Sequence, residues 1–342
     1  MSSSVGIDIG TYAIKIVELE KAGKGFEISK ALLVPNSSGL VVPVQQTDRE
    51  KLLEQLKHIF KEQHFPQTDL HIGLPEAFIS TKIVSMPPLS DVELASAITW
   101  QAEQYIPIPT EDLQLEYHVL FRPPKTDLTN QMRVLLLGAS KKTVMDFSQI
   151  FYDSGLDIAT LETQMLSLYR LAIQDANLPT TLIVHLGAST TDMLIIHEKE
   201  LAFVYSYPNG GLVLSRAVER GLGLDPNQAE EYKRTYGIDG GQLEGKVMQA
   251  ILPIFRPFVT EIQKALQYFT GTHQGAVVKR ILLSGGSAAL PGIVPTIAEL
   301  IPLEISLFSP FAAAPLGKGL TVPPFDAPAY TVATGLAMGG FV

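Results

Sequence analysis

The chain has 342 residues, a formal net charge of −9 and no cysteine, with 46% apolar and 18% charged residues. These totals provide for packed cores in about two domains and exclude disulfides and thiolate-held metals. An acidic chain without a lysine or arginine cluster argues against nucleic acid and anionic lipid as direct partners.

The amino terminus has neither a basic region nor a cleavage site. No apolar stretch approaches the ~20 residues of a membrane span. A soluble protein of a reducing compartment, with no direct membrane insertion, is therefore expected. Val5 to Ile9 reads as a strand, Gly10-Thr11 as a turn, and Ala13 to Leu19 as the returning strand. Phe26 to Val34 supplies a third strand. Asp48 to His64 has helical spacing, and Leu70 to Leu74 is a further strand.

Glu76 to Ser154 has a different texture, punctuated by Pro87-Pro88, Pro107, Pro109 and Pro123-Pro124. Within it lies a helix from Asp91 to Tyr105, opened by Ser90 with Glu93 three residues on. An apolar strand, Met132 to Ala139, and a helix from Lys141 follow. The region reads as a compact insertion of strand-helix-strand type, left through Leu156 to Leu161. Leu166 to Asn177 is helical; Leu182 to Leu186 and Met193 to Ile196 flank the turn Gly187-Ala188-Ser189. Helices are predicted near 212–220, 227–236 and 245–270, then a buried strand Arg280 to Leu283, the turn Ser284-Gly285-Gly286-Ser287, and a helix over 294–300.

The two glycine hairpins share one offset: Asp8-Ile9-Gly10-Thr11 matches His185-Leu186-Gly187-Ala188, 177 residues on. Such a duplication implies two similar halves facing each other. Tight turns of small residues expose backbone N–H groups as anion-binding concavities, so two opposed turns can grip a polyphosphate. Thr11, Ser189, Thr190 and Thr191 add hydroxyls, Lys15 adds a cation, and Asp8 can hold magnesium through water. Neither a Walker loop nor a G-x-G-x-x-G fingerprint is present.

Val5 to Leu19 resembles the first phosphate motif of the actin, Hsp70 and sugar-kinase superfamily, and Leu182 to Ile196 its second. ILLSGGSAALPG (281–292) resembles the adenosine motif, and AYTVATGLAMG (329–339) the second connecting helix. Within the superfamily, Gly221-Leu222-Gly223-Leu224 leading to Ala229-Glu230-Glu231-Tyr232-Lys233, the stretch QAEQYIPIP and the ending ATGLAMGG are similar to the PilM family of type IV pilus assembly proteins, relatives of the cell-division protein FtsA. The resemblance implies an α/β, actin-like (ribonuclease H-like, duplicated) two-domain ATPase fold with a small inserted domain. It divides the chain into a first domain (1–75), an insertion similar to the corresponding subdomain of FtsA (76–154), a return and connecting helix (155–180), a second domain (181–328) and a closing helix (329–342).

Carried over by position, Asp8 organises Mg2+, and Gly10, Thr11, Tyr12 and Lys15 line the phosphates of ATP, with Gly187, Ala188 and Ser189 opposite. Gly210 and Gly211 resemble the phosphate-contacting glycine pair, and Gly285, Gly286 and Ser287 pass beneath the nucleoside. Glu230 would accept the ribose hydroxyls, and the Lys233 stem would cover the adenine. Taken without the resemblance, Glu230 and Lys233 form an exposed helical ion pair. Glu162, in LETQMLSL, stands where the superfamily places a water-orienting Glu or Gln; its simpler role is to cap the following helix. His185 replaces the Asp usual in the second motif, which predicts slow or undetectable hydrolysis.

The function implied is cytoplasmic ATP binding at the inner-membrane pilus platform, with the cytoplasmic tail of a PilN-like membrane protein as partner and other platform components beside it. The alternatives are a small-molecule kinase, for which Asp192 is the nearest base although it reads as fixing the turn, and FtsA-like division work.

Overall fold

The opening apolar run forms β1 (Ser3–Ile9), which returns as β2 (Ala13–Ala22) and β3 (Gly25–Pro35). The computed structural model describes residues 3–23, 25–42, 45–124, 131–273 and 275–341. It continues through α1 (Gln46–Gln63), β4 (Leu70–Leu74), β5 (Ile79–Met86), α2 (Asp91–Tyr105), β6 (Leu113–Phe121), β7 (Met132–Ser140), α3 (Lys141–Asp153), β8 (Ile158–Thr163) and α4 (Gln164–Ala172). The rest is β9 (Thr181–Leu186), β10 (Thr191–His197), β11 (Glu200–Tyr207), α5 (Gly211–Leu222), α6 (Pro226–Tyr236), α7 (Lys246–Thr272), β12 (Arg280–Ser284), α8 (Ile293–Leu300), β13 (Glu304–Leu307) and α9 (Thr331–Met338).

The duplication is explicit in the sheets. One runs β3-β2-β1-β4-β8 and the other β11-β10-β9-β12-β13. In each, two antiparallel pairs precede two parallel ones. The hairpin registers repeat as well: Asp8 lies opposite Lys15, and His185 opposite Asp192. Each sheet buries one face against its own helices. Leu52, Leu56 and Phe60 of α1 pack on Ile7, Ile16 and Ile72, and Phe255, Phe258 and Ile262 of α7 pack on Val184, Met193 and Ile281. The other faces meet α4 and α9, which lie between the halves: Leu168 and Leu336 share a core with Val17, Ile183 and Leu194.

α9 is pressed directly onto β1. A Cβ on Gly6 would fall 2.0 Å from the Ala333 carbonyl oxygen and 2.5 Å from the Ala337 nitrogen. On the opposite side of α9, a Cβ on Gly335 would fall 2.1 Å from the Ser167 carbonyl oxygen of α4. Small residues are what let three backbones approach this closely.

The insertion has its own three-stranded sheet, β5-β7-β6. Leu94, Ile98 and Ala102 of α2 cover it, against Val84, Val134 and Leu136. The expected start of α2 is a complete capping box, with Ser90 N–H donating to Glu93 at 2.8 Å and the Ser90 hydroxyl accepting from Glu93 N–H. One strand, β6, goes beyond the strand-helix-strand insertion expected from the sequence. The end of the insertion also differs from the expected 154. Phe147, Ile150 and Phe151 of α3 enter the core of the first half beside Leu52 and Leu56, so α3 packs with that half and the insertion's own sheet ends at Ser140.

Candidate functional site

Both hairpin turns open on one cleft of about 370 Å³, within the ~300–1,000 Å³ usual for small-molecule sites. Asp8, Gly10, Thr11, Tyr12 and Lys15 line it from the first half. Gly187, Ala188, Ser189, Gly211, Glu230, Lys233, Gly286 and Ser287 line it from the second. Gly210 and Gly285 lie beneath. Gly210 caps α5, whose Gly211 and Leu212 N–H groups donate to the Gly187 and Ala188 carbonyls at 2.8 and 2.9 Å. Gly285, at φ +86°, has its Cβ position only 2.5 Å from the Leu186 carbonyl oxygen, so a side chain there is excluded both by conformation and by space. A Cβ on Gly211 would reach to 2.3 Å from Ser287 Oγ, and one on Gly10 to 2.8 Å from Lys15 Nζ. The cradle is therefore shaped by missing side chains.

Asp8 is the buried anion of the cleft, 1% exposed. Lys15 Nζ donates to its Oδ2 at 2.9 Å and Gln164 Nε2 to its Oδ1 at 2.6 Å. On the other side, His185 Nδ1 meets Ser284 Oγ at 2.9 Å. Burial pushes the His185 pKa down to about 4, against a smaller opposing pull from Asp8, so the imidazole is neutral at physiological pH. Contacts cross the cleft: Thr11 Oγ1 meets Ser189 Oγ at 2.8 Å, and Arg234 lies over the Tyr12 ring at 5.7 Å and donates to its hydroxyl at 3.4 Å.

The Glu230–Lys233 pair is not exposed. Lys233 is 4% exposed, and its ammonium donates to Glu230 at 2.7 Å, to Ser215 Oγ at 2.9 Å and to the Gly211 carbonyl at 3.2 Å. Burial lowers its pKa despite the carboxylate beside it. Glu230 also faces a second opening between α5 and α6, shared with Tyr12, Ser215 and Arg234.

Glu162 departs from expectation. Arg170 grips it with both guanidinium nitrogens, at 2.5 and 2.6 Å, and also donates to the Gly335 carbonyl. Glu162 lines neither opening, and it does not cap α4; Thr163 does, accepting from Met165 and Leu166 N–H. The polar side chain that reaches the cleft is Gln164, two residues on. The segment LETQMLSL carried that signal, but the strand-to-helix junction decides which residue turns inward. Phe325 and Asp326 also line the cleft and were not anticipated.

Asp192 does not line the cleft. It is 1% exposed and accepts from Thr190 at 3.0 Å and Ser206 at 2.5 Å, as a residue fixing the turn would. Burial first, and the Glu76 carboxylate second, push its pKa up to about 7 from an ordinary 3.8. The folded state thus keeps a proton that the unfolded chain releases. The stability tied to Asp192 is complete below about pH 4 and is lost as pH rises through 7. His185 acts in the opposite sense, losing stability as pH falls from about 6.5 toward 4. Asp192→Asn is expected to exceed wild type in stability at pH 8 by ~1 kcal/mol or more, with the advantage vanishing near pH 4. Thermal melts across that range check this, and an advantage independent of pH would contradict it.

Two repeated five-stranded halves around one shared cleft define an actin-like protein. The chain belongs to the family described as type IV pilus assembly protein PilM, whose sequence model matches residues 6–341. Among solved structures, a PilM–PilN type IV pilus biogenesis complex superposes with a TM-score of 0.85 at 22% identity, covering 99% of this chain and 98% of that one. MreB 5 of Spiroplasma citri bound to AMPPNP gives 0.54 at 13% identity, covering 99% and 96%. In sequence, the cell division protein FtsA of Enterococcus faecalis is 21% identical over 349 residues, covering 90% of this chain and 78% of its own length.

Proposed function

We propose that this pilus assembly protein is a cytoplasmic ATP-binding component of the inner-membrane platform, and that it takes the cytoplasmic tail of a PilN-like membrane protein as its partner. The observation that carries the nucleotide reading is the convergence of two repeated glycine turns, Lys15 and the buried Lys233–Glu230 pair on one cleft. The related PilM is found in complex with PilN, and MreB 5, of similar fold, binds AMPPNP. The membrane is reached through the partner; no helix among the described residues is long and apolar enough to cross it.

ATP here acts as a clamp. A triphosphate entering between the turns displaces the Thr11–Ser189 contact and resets the angle between the halves. That angle sets the shape of the partner groove. Turnover is slow, because the second motif offers an uncharged imidazole where a carboxylate would help position metal and water. Loss of one such preorganised group costs ~10²–10³ in rate. The test is a titration of full-length protein with a PilN-like tail peptide, with and without ATP. The expected result is tail binding whose affinity shifts by about fivefold or more with nucleotide. Equal affinity in both states contradicts the clamp, and no binding in either contradicts the partner.

A further inference from the structure

The second hairpin carries an imidazole where the first carries a carboxylate, and the surrounding hydroxyls fix how that imidazole is protonated. Thr331 Oγ1 donates to the Pro328 carbonyl at 2.8 Å. A hydroxyl has one proton to give, so the 2.6 Å contact between Ser284 Oγ and Thr331 Oγ1 is donated by Ser284. The 2.9 Å contact between Ser284 Oγ and His185 Nδ1 is then donated by the ring. His185 is held as the Nδ1–H tautomer, and its remaining polar atom, Nε2, is an acceptor without charge.

Asp8 is the carboxylate on the strand leading into the first turn, and it is already answered. One oxygen accepts from the Lys15 ammonium and the other from the Gln164 amide, at 2.9 and 2.6 Å. Asp8 and Lys15 together carry no net charge. Among the described residues, no three His, Cys, Asp or Glu side chains are placed to hold a metal ion. Magnesium is held by carboxylates, directly or through its tightly kept waters. A neutral imidazole and a neutralised carboxylate offer it little, so the residues present do not fit a protein-held magnesium. Positive charge in the cleft comes from side chains instead: Lys15, Lys233 and Arg234 all line it, and Lys15 is the one beside the first turn.

We infer that ATP is held in this cleft by Lys15 and backbone donors without a protein-bound magnesium ion, so that its affinity is nearly the same with or without the metal. The inference rests on the nucleotide reading above and specifies how that site recognises its ligand: as a polyphosphate anion rather than as a metal–phosphate chelate. Any magnesium present belongs to the nucleotide and leaves with it.

The experiment is calorimetric titration of ATP into the full-length protein, once in excess Mg2+ and once in EDTA, for wild type and for His185→Asp. Wild-type affinities are expected to agree within about fivefold, a difference under ~1 kcal/mol. His185→Asp, which places a second carboxylate beside Asp8, is expected to lose about tenfold or more in EDTA. A wild type that loses more than about fivefold in EDTA overturns the inference and leaves nucleotide binding standing. Wild type that binds ATP in neither buffer overturns both. A folded His185→Asp as indifferent to magnesium as wild type overturns the assignment to residue 185.

Discussion

Gly6→Val is expected to abolish the folded state. Gly6 sits in β1, the central strand of its sheet, hydrogen-bonded between β2 and β4. The added Cβ alone would lie 2.0 Å from the Ala333 carbonyl oxygen and 2.5 Å from the Ala337 nitrogen. Both atoms are backbone, so no rotamer change relieves the overlap. α9 would have to lift off β1, yet its far side is held as closely, with Gly335 against Ser167. Separating α9 would expose Leu336, Val332 and Ala333, all fully buried. Burial of one large aliphatic side chain is worth about 1.5–3 kcal/mol, and the total stability of a domain is only about 5–15 kcal/mol. Displacing the helix therefore consumes most of the margin. Gly271→Ala, near the end of α7 with nothing within 4 Å of its Cβ position, should leave stability unchanged or raise it. Circular dichroism and limited proteolysis of the two variants read the contrast. A Gly6→Val protein that melts within a few degrees of wild type would refute the packing described here.

The seam that makes Gly6 intolerant was only partly legible in the sequence. The duplication was legible, because a hairpin turn fixes its own register and the constant offset aligned Asp8 with His185. The capping box at Ser90 was legible for the same kind of reason: its partners are three residues apart. β11 was not. The turn before it is Glu198-Lys199, both at positive φ (52° and 64°), a conformation usually signalled by Asn or Gly. β6 alternates buried and exposed residues only weakly, and it sits among prolines that read as loop. α3 was assigned to the insertion because it follows it in the chain; only the packing of Phe147 and Phe151 shows which half it serves.

The site divides along the same line. Gly10, Thr11, Gly187, Ala188, Ser189 and Thr190 line the cleft, since turn chemistry is local; Thr191 does not, its buried hydroxyl donating instead to the Asn209 carbonyl. Which of Glu162 and Gln164 points inward depends on the bend from β8 into α4, and the tie to Arg170 across one helical turn and a strand end is a tertiary fact. The spacing of Glu230 and Lys233 was visible, but not their burial beneath Gly211. That burial comes from α5 and α6 closing on each other around Ser215.

Lys15→Ala is expected to weaken ATP binding by about 100-fold, ~2.7 kcal/mol. Lys15 is the cation placed between the Asp8 carboxylate and the Gly10 turn, 2.9 Å from one and 2.8 Å from the Cβ position of the other. Charge-assisted contacts to phosphate are about twice as strong as neutral ones, and of the other cations lining the cleft Lys233 is already engaged by Glu230. The substitution also removes the partner of a buried carboxylate, leaving Asp8 with Gln164 alone. A stability loss of ~1–3 kcal/mol therefore accompanies the binding defect. Lys15→Arg, which keeps the charge, should recover part of both. Parallel melts and ATP titrations of the two variants separate the effects. A folded Lys15→Ala protein with wild-type affinity would show that the phosphates lie elsewhere.

The most direct measurement is a calorimetric titration of the wild-type chain with ATP alone, without partner peptide. Two opposed glycine turns and an ammonium converging on one cleft predict saturable, one-to-one binding with a dissociation constant of about 1 μM or tighter, ~8 kcal/mol. Absence of heat and of competition at millimolar ATP would contradict the account at its centre.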